Sequence, residues 1–286
     1  MTTHKLETPG ATITYDVHGP LPTADGRPPL LMVGLPMDAS GFTALAAYFT
    51  DRTVVTYDPR GLGRSVRAEG QLDNSPAVHA ADVYAVIEAL DSGPVEVFAS
   101  SGGAIVTLAL VTAHPGAVRT LVAHEPPVLS VLPDAAAAER AAAGYREAYA
   151  QKGFGAGMAG FIAMTSWQGE YSDAYFAAPA ADPAMFGLPV EDDGSRDDPL
   201  LSERAEVVTS YRPDIAALTA ARTRIVIGVG EESTGTVTAR TSTALAERLG
   251  QKPVQFPSHH GGFTGPESGY PGQPEPFAHV LRQVLG

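Results

Sequence analysis

Short apolar runs alternate along this chain with longer stretches whose apolar residues recur every three or four positions. The runs at residues 11–17, 29–35, 53–58, 95–100, 118–124, 224–229 and 253–256 are rich in β-branched residues and read as strands. A run that stays apolar at successive positions suits a strand buried on both faces of a parallel sheet. The stretches at 42–49, 77–90, 103–114, 237–249 and 276–285 carry the helical period and supply the crossovers that parallel neighbours require. The pattern predicts an α/β protein with a mostly parallel twisted sheet and flanking helices.

That rhythm breaks between residues 129 and 213, where no strand-like run occurs. Pro133-Asp134 offers a start for an Ala-rich helix over 135–151, and a second apolar helix is expected over 158–167, carrying Met158, Phe161, Ile162, Met164 and Trp167. The charged run at 191–198 reads as a solvated loop. The expected organisation is a core made of 1–128 and 214–286, interrupted by a helical insertion over 129–213.

At 286 residues the chain is long enough to bury a core without disulfides or metal, and it contains no cysteine. The absence of cysteine also excludes thiol nucleophiles and thiolate metal sites. Nineteen basic against 32 acidic residues leave a net charge of −13, which repels nucleic acid and anionic membrane surfaces. No run approaches the ~20 apolar residues of a membrane span, and the opening residues lack the basic and apolar regions of a secretory signal. The expectation is a soluble, cytoplasmic chain whose partner is a small molecule; the oligomeric state is left open, a homodimer included.

The most informative window is Ala99-Ser100-Ser101-Gly102-Gly103, where a strand runs through small residues directly into a helix. A nucleophile at Ser101 would be held on a sharp turn at the helix start, with Ala99 and Gly103 small enough for neighbouring backbones to pass. The N–H of Gly102 lies where a developing oxyanion would be stabilised. A serine also needs a base. Of eight histidines, only those in Ser258-His259-His260-Gly261-Gly262 lie on a loop after the last strand-like run; His260 is the chosen base and His259 its neighbouring alternative. Adjacent histidines without a spaced partner do not define a metal site, and Gly228-Val229-Gly230 is too small a fragment of a dinucleotide fingerprint to imply one. No metal or cofactor is expected.

Taken together, these windows resemble the α/β-hydrolase superfamily over nearly the whole chain. The elbow is a relaxed form of its Gly-x-Ser-x-Gly pattern. The run from Leu30 to Pro36 is similar to the strand that leads to the family's oxyanion loop, with Val33 where a histidine usually stands, and Asp58-Pro59-Arg60-Gly61-Leu62-Gly63-Arg64-Ser65 matches an Asp-x-Arg-Gly-x-Gly-x-Ser turn. The resemblance implies the α/β-hydrolase fold, an inserted helical cap, and a second oxyanion donor at the N–H of Leu35. It also implies a carboxylate to orient the base. The commoner family position brings in Glu232, although Ser233 stands where the usual Asp would. The alternative, Glu125 ahead of Pro126-Pro127, is the placement of haloalkane dehalogenase-like and zearalenone lactonase-like members, and is preferred. The implied activity is a serine hydrolase acting on an ester or lactone, with Pro36, Met37, Phe161, Met164 and Trp167 around the substrate and Trp167 offering a surface for stacking a ring. C–C bond hydrolysis, cofactor-free lyase chemistry and a non-catalytic ligand-binding homologue are the alternatives.

Overall fold

The computed structural model describes residues 1–24 and 26–286. Two antiparallel strands open the chain, β1 (Thr2–Thr8) and β2 (Ala11–His18). They are followed by β3 (Leu30–Val33), α1 (Thr43–Ala46), β4 (Val54–Tyr57), the two-residue β5 (Val66–Arg67), α2 (Pro76–Ala89), β6 (Val95–Ser100), α3 (Gly102–Ala113) and β7 (Val118–His124). Four helices come next without an intervening strand: α4 (Ala135–Lys152), α5 (Phe154–Ser166), α6 (Asp173–Ala177) and α7 (Glu206–Thr209). The chain closes with α8 (Ile215–Ala220), β8 (Arg224–Gly230), α9 (Val237–Arg248), β9 (Val254–Phe256) and α10 (Pro274–Leu285).

The strands form one sheet in the order β1-β2-β4-β3-β6-β7-β8-β9, with β5 beside β2. From β4 to β9 every neighbouring pair is parallel. Successive side chains of a strand point to opposite faces, and β3 shows the consequence. Leu31 and Val33 join the apolar layer beneath α2, α3, α8 and α9, whereas Leu30 and Met32 join the layer that holds Phe42, Phe98, Phe277 and Leu281. Both faces are covered, which is why these strands read as continuous apolar runs.

The structure adds two strands to the seven runs, β1 and β5. Five of the seven residues of β1 are exposed, and β5 is two residues long, so neither has an apolar signature. The helix expected over 42–49 is shorter: a 3₁₀ turn at Ala39–Phe42 leads into the single turn of α1. Among the described residues no helix is long and apolar enough to cross a membrane.

Between β7 and α8, helices α4 and α5 pack closely against each other. Gly157 and Gly160 make the approach possible, since a Cβ on either would lie 2.5 Å and 3.0 Å from the Cβ atoms of Tyr149 and Tyr145. This segment has its own apolar cluster, which includes Leu132, Tyr145, Tyr149, Met164 and Leu201 and reaches the rest of the molecule through Val237 of α9.

Candidate active site

The turn from β6 into α3 is built by close backbone contact. Ser101 occupies φ 56°, ψ −128°, a region that a residue with a side chain rarely adopts, and its N–H donates to the carbonyl of His124 at 3.0 Å. The next two positions have no room for a side chain. A Cβ on Gly102 would lie 2.6 Å from the carbonyl oxygen of Leu35, and one on Gly103 2.3 Å from that of Val33. The backbone of the loop after β3 is thereby brought against the start of α3, with Leu35 beside Gly102. Ser100 is buried, its Oγ 3.5 Å from Nδ1 of His124, whereas Ser101 lines an open cavity.

Glu125 follows the carboxyl end of β7 with φ 48° and is fully buried. Its Oε1 accepts the N–H of Gly230 at 2.9 Å, and its Oε2 accepts Thr238 Oγ1 at 2.6 Å and His260 Nδ1 at 2.7 Å. Burial alone would raise the carboxyl's pKa. The hydrogen bond from His260, the favourable fields of His260 and His124, and the Ser233 hydroxyl outweigh it and hold Glu125 well below the usual carboxylate range. With Nδ1–H directed at Glu125, His260 keeps Nε2 as an acceptor, and the ring lines the same cavity as Ser101.

Glu232, the alternative acid, is exposed, and its Oε1 lies 3.5 Å from Gln273 Nε2. The structure brings Glu125 to His260 and leaves Glu232 at the cavity mouth. His259 turns the other way: its Nδ1 accepts from Gly261 N–H, its Nε2 lies 3.2 Å from the carbonyl of Pro271, and its ring sits 3.8 Å from that of Tyr270. Behind the pair, the His124 imidazole is fully buried among Phe98, Phe256, Phe263 and Phe277, and burial holds its pKa down at about 4.

The cavity measures about 770 Å³. Leu35, Pro36, Gly102, Phe161 and Met164 are on its wall; Met37 and Trp167 are not. Met37 packs beneath the loop, its side chain filling the space where a Cβ on Gly34 or Gly41 would fall. Trp167 stands edge-on to Tyr175 at 5.3 Å between ring centres, and its indole N–H donates to the carbonyl of Glu170. Tertiary packing, which no local pattern reports, takes both off the wall. A larger depression of about 900 Å³, bordered by Asp16, His18, Asp38 and Arg64, does not include Ser101.

Thr238 and Ser233 are contributors the sequence reading did not single out as supports of Glu125. Thr238 lies 113 positions from Glu125, and an isolated threonine in a first helical turn carries no signal of such a contact. The Asp58–Ser65 turn buttresses the loop after β3: Asp58 accepts from the N–H of Ala39 and from Arg64, and Ser65 Oγ donates to the carbonyl of Asp58. The glycines that mimic a dinucleotide fingerprint serve packing, Gly228 against the Phe256 ring and Gly230 against the carbonyl of Ser258. Among the described residues no three His, Asp or Glu side chains are grouped to hold a metal ion.

The chain matches the model of the family described as alpha/beta hydrolase fold over residues 28–166. It is 36% identical over 128 residues to the uncharacterized hydrolase YraK of Bacillus subtilis, a match that covers 44% of this chain and spans less than half, 45%, of that relative. The solved esterase RhEst1 from Rhodococcus sp. ECU1013 superposes with a TM-score of 0.66 at 20% identity, over 100% of this chain and 98% of that one. The enol-lactonase from Burkholderia xenovorans LB400 superposes with a TM-score of 0.64 at 16% identity, over 99% of each chain. A parallel sheet in this strand order, a serine on the strand-to-helix turn and the family match across that turn lead to one assignment: the chain has the α/β-hydrolase fold, and residues 28–166 match the family of that description.

Proposed function

We propose that the protein hydrolyses a carboxylic ester or lactone through an acyl-enzyme formed on Ser101. His260 takes the hydroxyl proton at Nε2 as Ser101 Oγ attacks the carbonyl carbon. Glu125 holds the ring in the required tautomer and stabilises the imidazolium that forms. The N–H groups of Gly102 and Leu35 receive the oxyanion, helped by the positive end of α3. His260 then protonates the departing alcohol, and water, activated by the same imidazole, releases the acid.

The observation that carries this reading is the 2.7 Å contact between buried Glu125 and His260, whose ring opens onto the cavity that also exposes Ser101. The named relatives point the same way, an esterase and an enol-lactonase among them. We read residues 129–213 as a cap, because Leu129, Tyr145, Phe161, Met164, Leu200 and Val208 supply cavity wall from that segment.

Intact-mass labelling with a fluorophosphonate ester tests the assignment. One adduct is expected on the wild type and none on Ser101→Ala, with labelling of His260→Ala slowed by at least ~100-fold. A folded wild type that takes no adduct would sink the acyl-enzyme.

A further inference from the structure

The cavity wall restricts the substrate beyond its acyl group, on the premise that the site hydrolyses esters or lactones. Around Ser101 the wall is apolar, with Leu35, Pro127, Leu129, Phe161, Met164 and Val237 among its residues. No Lys or Arg is among the described residues that line it, and the one carboxylate there is Glu232.

Several polar groups of the wall are already engaged, and the exposed Gln168 amide and Tyr270 hydroxyl add only uncharged donors. Asn74 takes Arg67 and His79 at Oδ1 and gives Nδ2 to the carbonyl of Arg204. His259 has Nδ1 on Gly261 and Nε2 on Pro271, and His260 has Nδ1 on Glu125. Glu232 stands exposed at the mouth, its backbone N–H on the carbonyl of Ser258 and its carboxylate facing an uncharged amide donor, Gln273. A carboxylate carried past it would lose water, meet no cation and pass a like charge. The net charge of −13 opposes its approach from further away.

We propose that this site selects uncharged acyl chains and turns away esters and lactones that carry a second, ionised carboxylate, with Glu232 as the specificity-determining charge at the mouth. The step itself is unchanged: Ser101 Oγ displaces the alcohol, and water displaces Ser101.

The test compares the 4-nitrophenyl ester of adipic acid with that of its monomethyl ester, two acyl chains alike in length and different in terminal charge. Wild-type kcat/KM should favour the methyl-capped ester by about 100-fold at low ionic strength. Glu232→Gln should raise the anionic-to-neutral ratio about 5-fold and Glu232→Lys further, and added salt should raise that ratio more in the wild type than in Glu232→Gln. Equal turnover of the two esters, or a ratio that neither variant moves, overturns the proposal. Ser101 labelled by fluorophosphonate without charge discrimination overturns the selection alone. No labelling and no turnover overturns the hydrolase reading and this inference with it.

Discussion

Glu125 combines a backbone angle that glutamate rarely adopts with full burial, and it stays ionised because each carboxylate oxygen faces a donor. Its folded pKa lies below the ordinary value, so the stability it contributes is present above the ordinary carboxylate range and is lost as pH falls toward the folded value. On the proposed mechanism, Glu125→Gln keeps the shape but removes the charge that would support the imidazolium, and kcat should fall by ~10³–10⁴ on a neutral 4-nitrophenyl ester. Glu232→Gln should cost under ~10-fold in the same steady-state assay, since that carboxylate faces Gln273 and the one on His260 Nδ1 is Glu125. The opposite ranking would move the acid to Glu232. Both carboxylates were visible as candidates in the sequence. The resemblance favoured Glu125, but its contact with His260 could not be read from the sequence, because it joins residues 135 positions apart.

At the scale of the element, the elbow rests on the missing side chain of Gly103. A methyl group there would press on the backbone of Val33, which cannot swing aside as the end of a flexible side chain would. Gly103→Ala should lower stability by about 1–3 kcal/mol, read as a shift of the urea midpoint, and should slow fluorophosphonate labelling by displacing the start of α3. A midpoint and labelling rate equal to wild type would mean that β3 yields and the close approach is not needed. This element was legible because its signal is local: five small residues in a row between a strand and a helix. The edge strand β1 was less so, since its polar, exposed face writes no apolar run, and its pairing with β2 depends on a partner across a turn.

For the whole molecule, acid stability is set first by histidines far from solvent. Burial holds His79 down at about 3 and His124 at about 4, and each has a ring nitrogen with no protein partner. Both are neutral when folded, while the unfolded chain takes up the proton near pH 6.5. From about 6.5 down to about 4 the unfolded state therefore binds more protons, and stability falls as pH falls. The loss is on the order of several kcal/mol in total. Thermal unfolding from pH 7 to 4 should show a falling Tm, and His79→Gln should flatten the slope; a slope unchanged in that variant would place the acid sensitivity elsewhere. The sequence by itself determined the α/β class, the serine on its turn and the loop that carries His260, because each is written in contiguous residues through period, side-chain size or turn chemistry. The tertiary structure alone decided which carboxylate meets His260, that Met37 and Trp167 leave the cavity wall, and that Thr238 supports Glu125. Those outcomes follow from strand order. Placing β7 beside β8 and β8 beside β9 sets the ends that carry Glu125, Gly230 and the His260 loop together on one edge of the sheet, and no local stretch of chain encodes that adjacency.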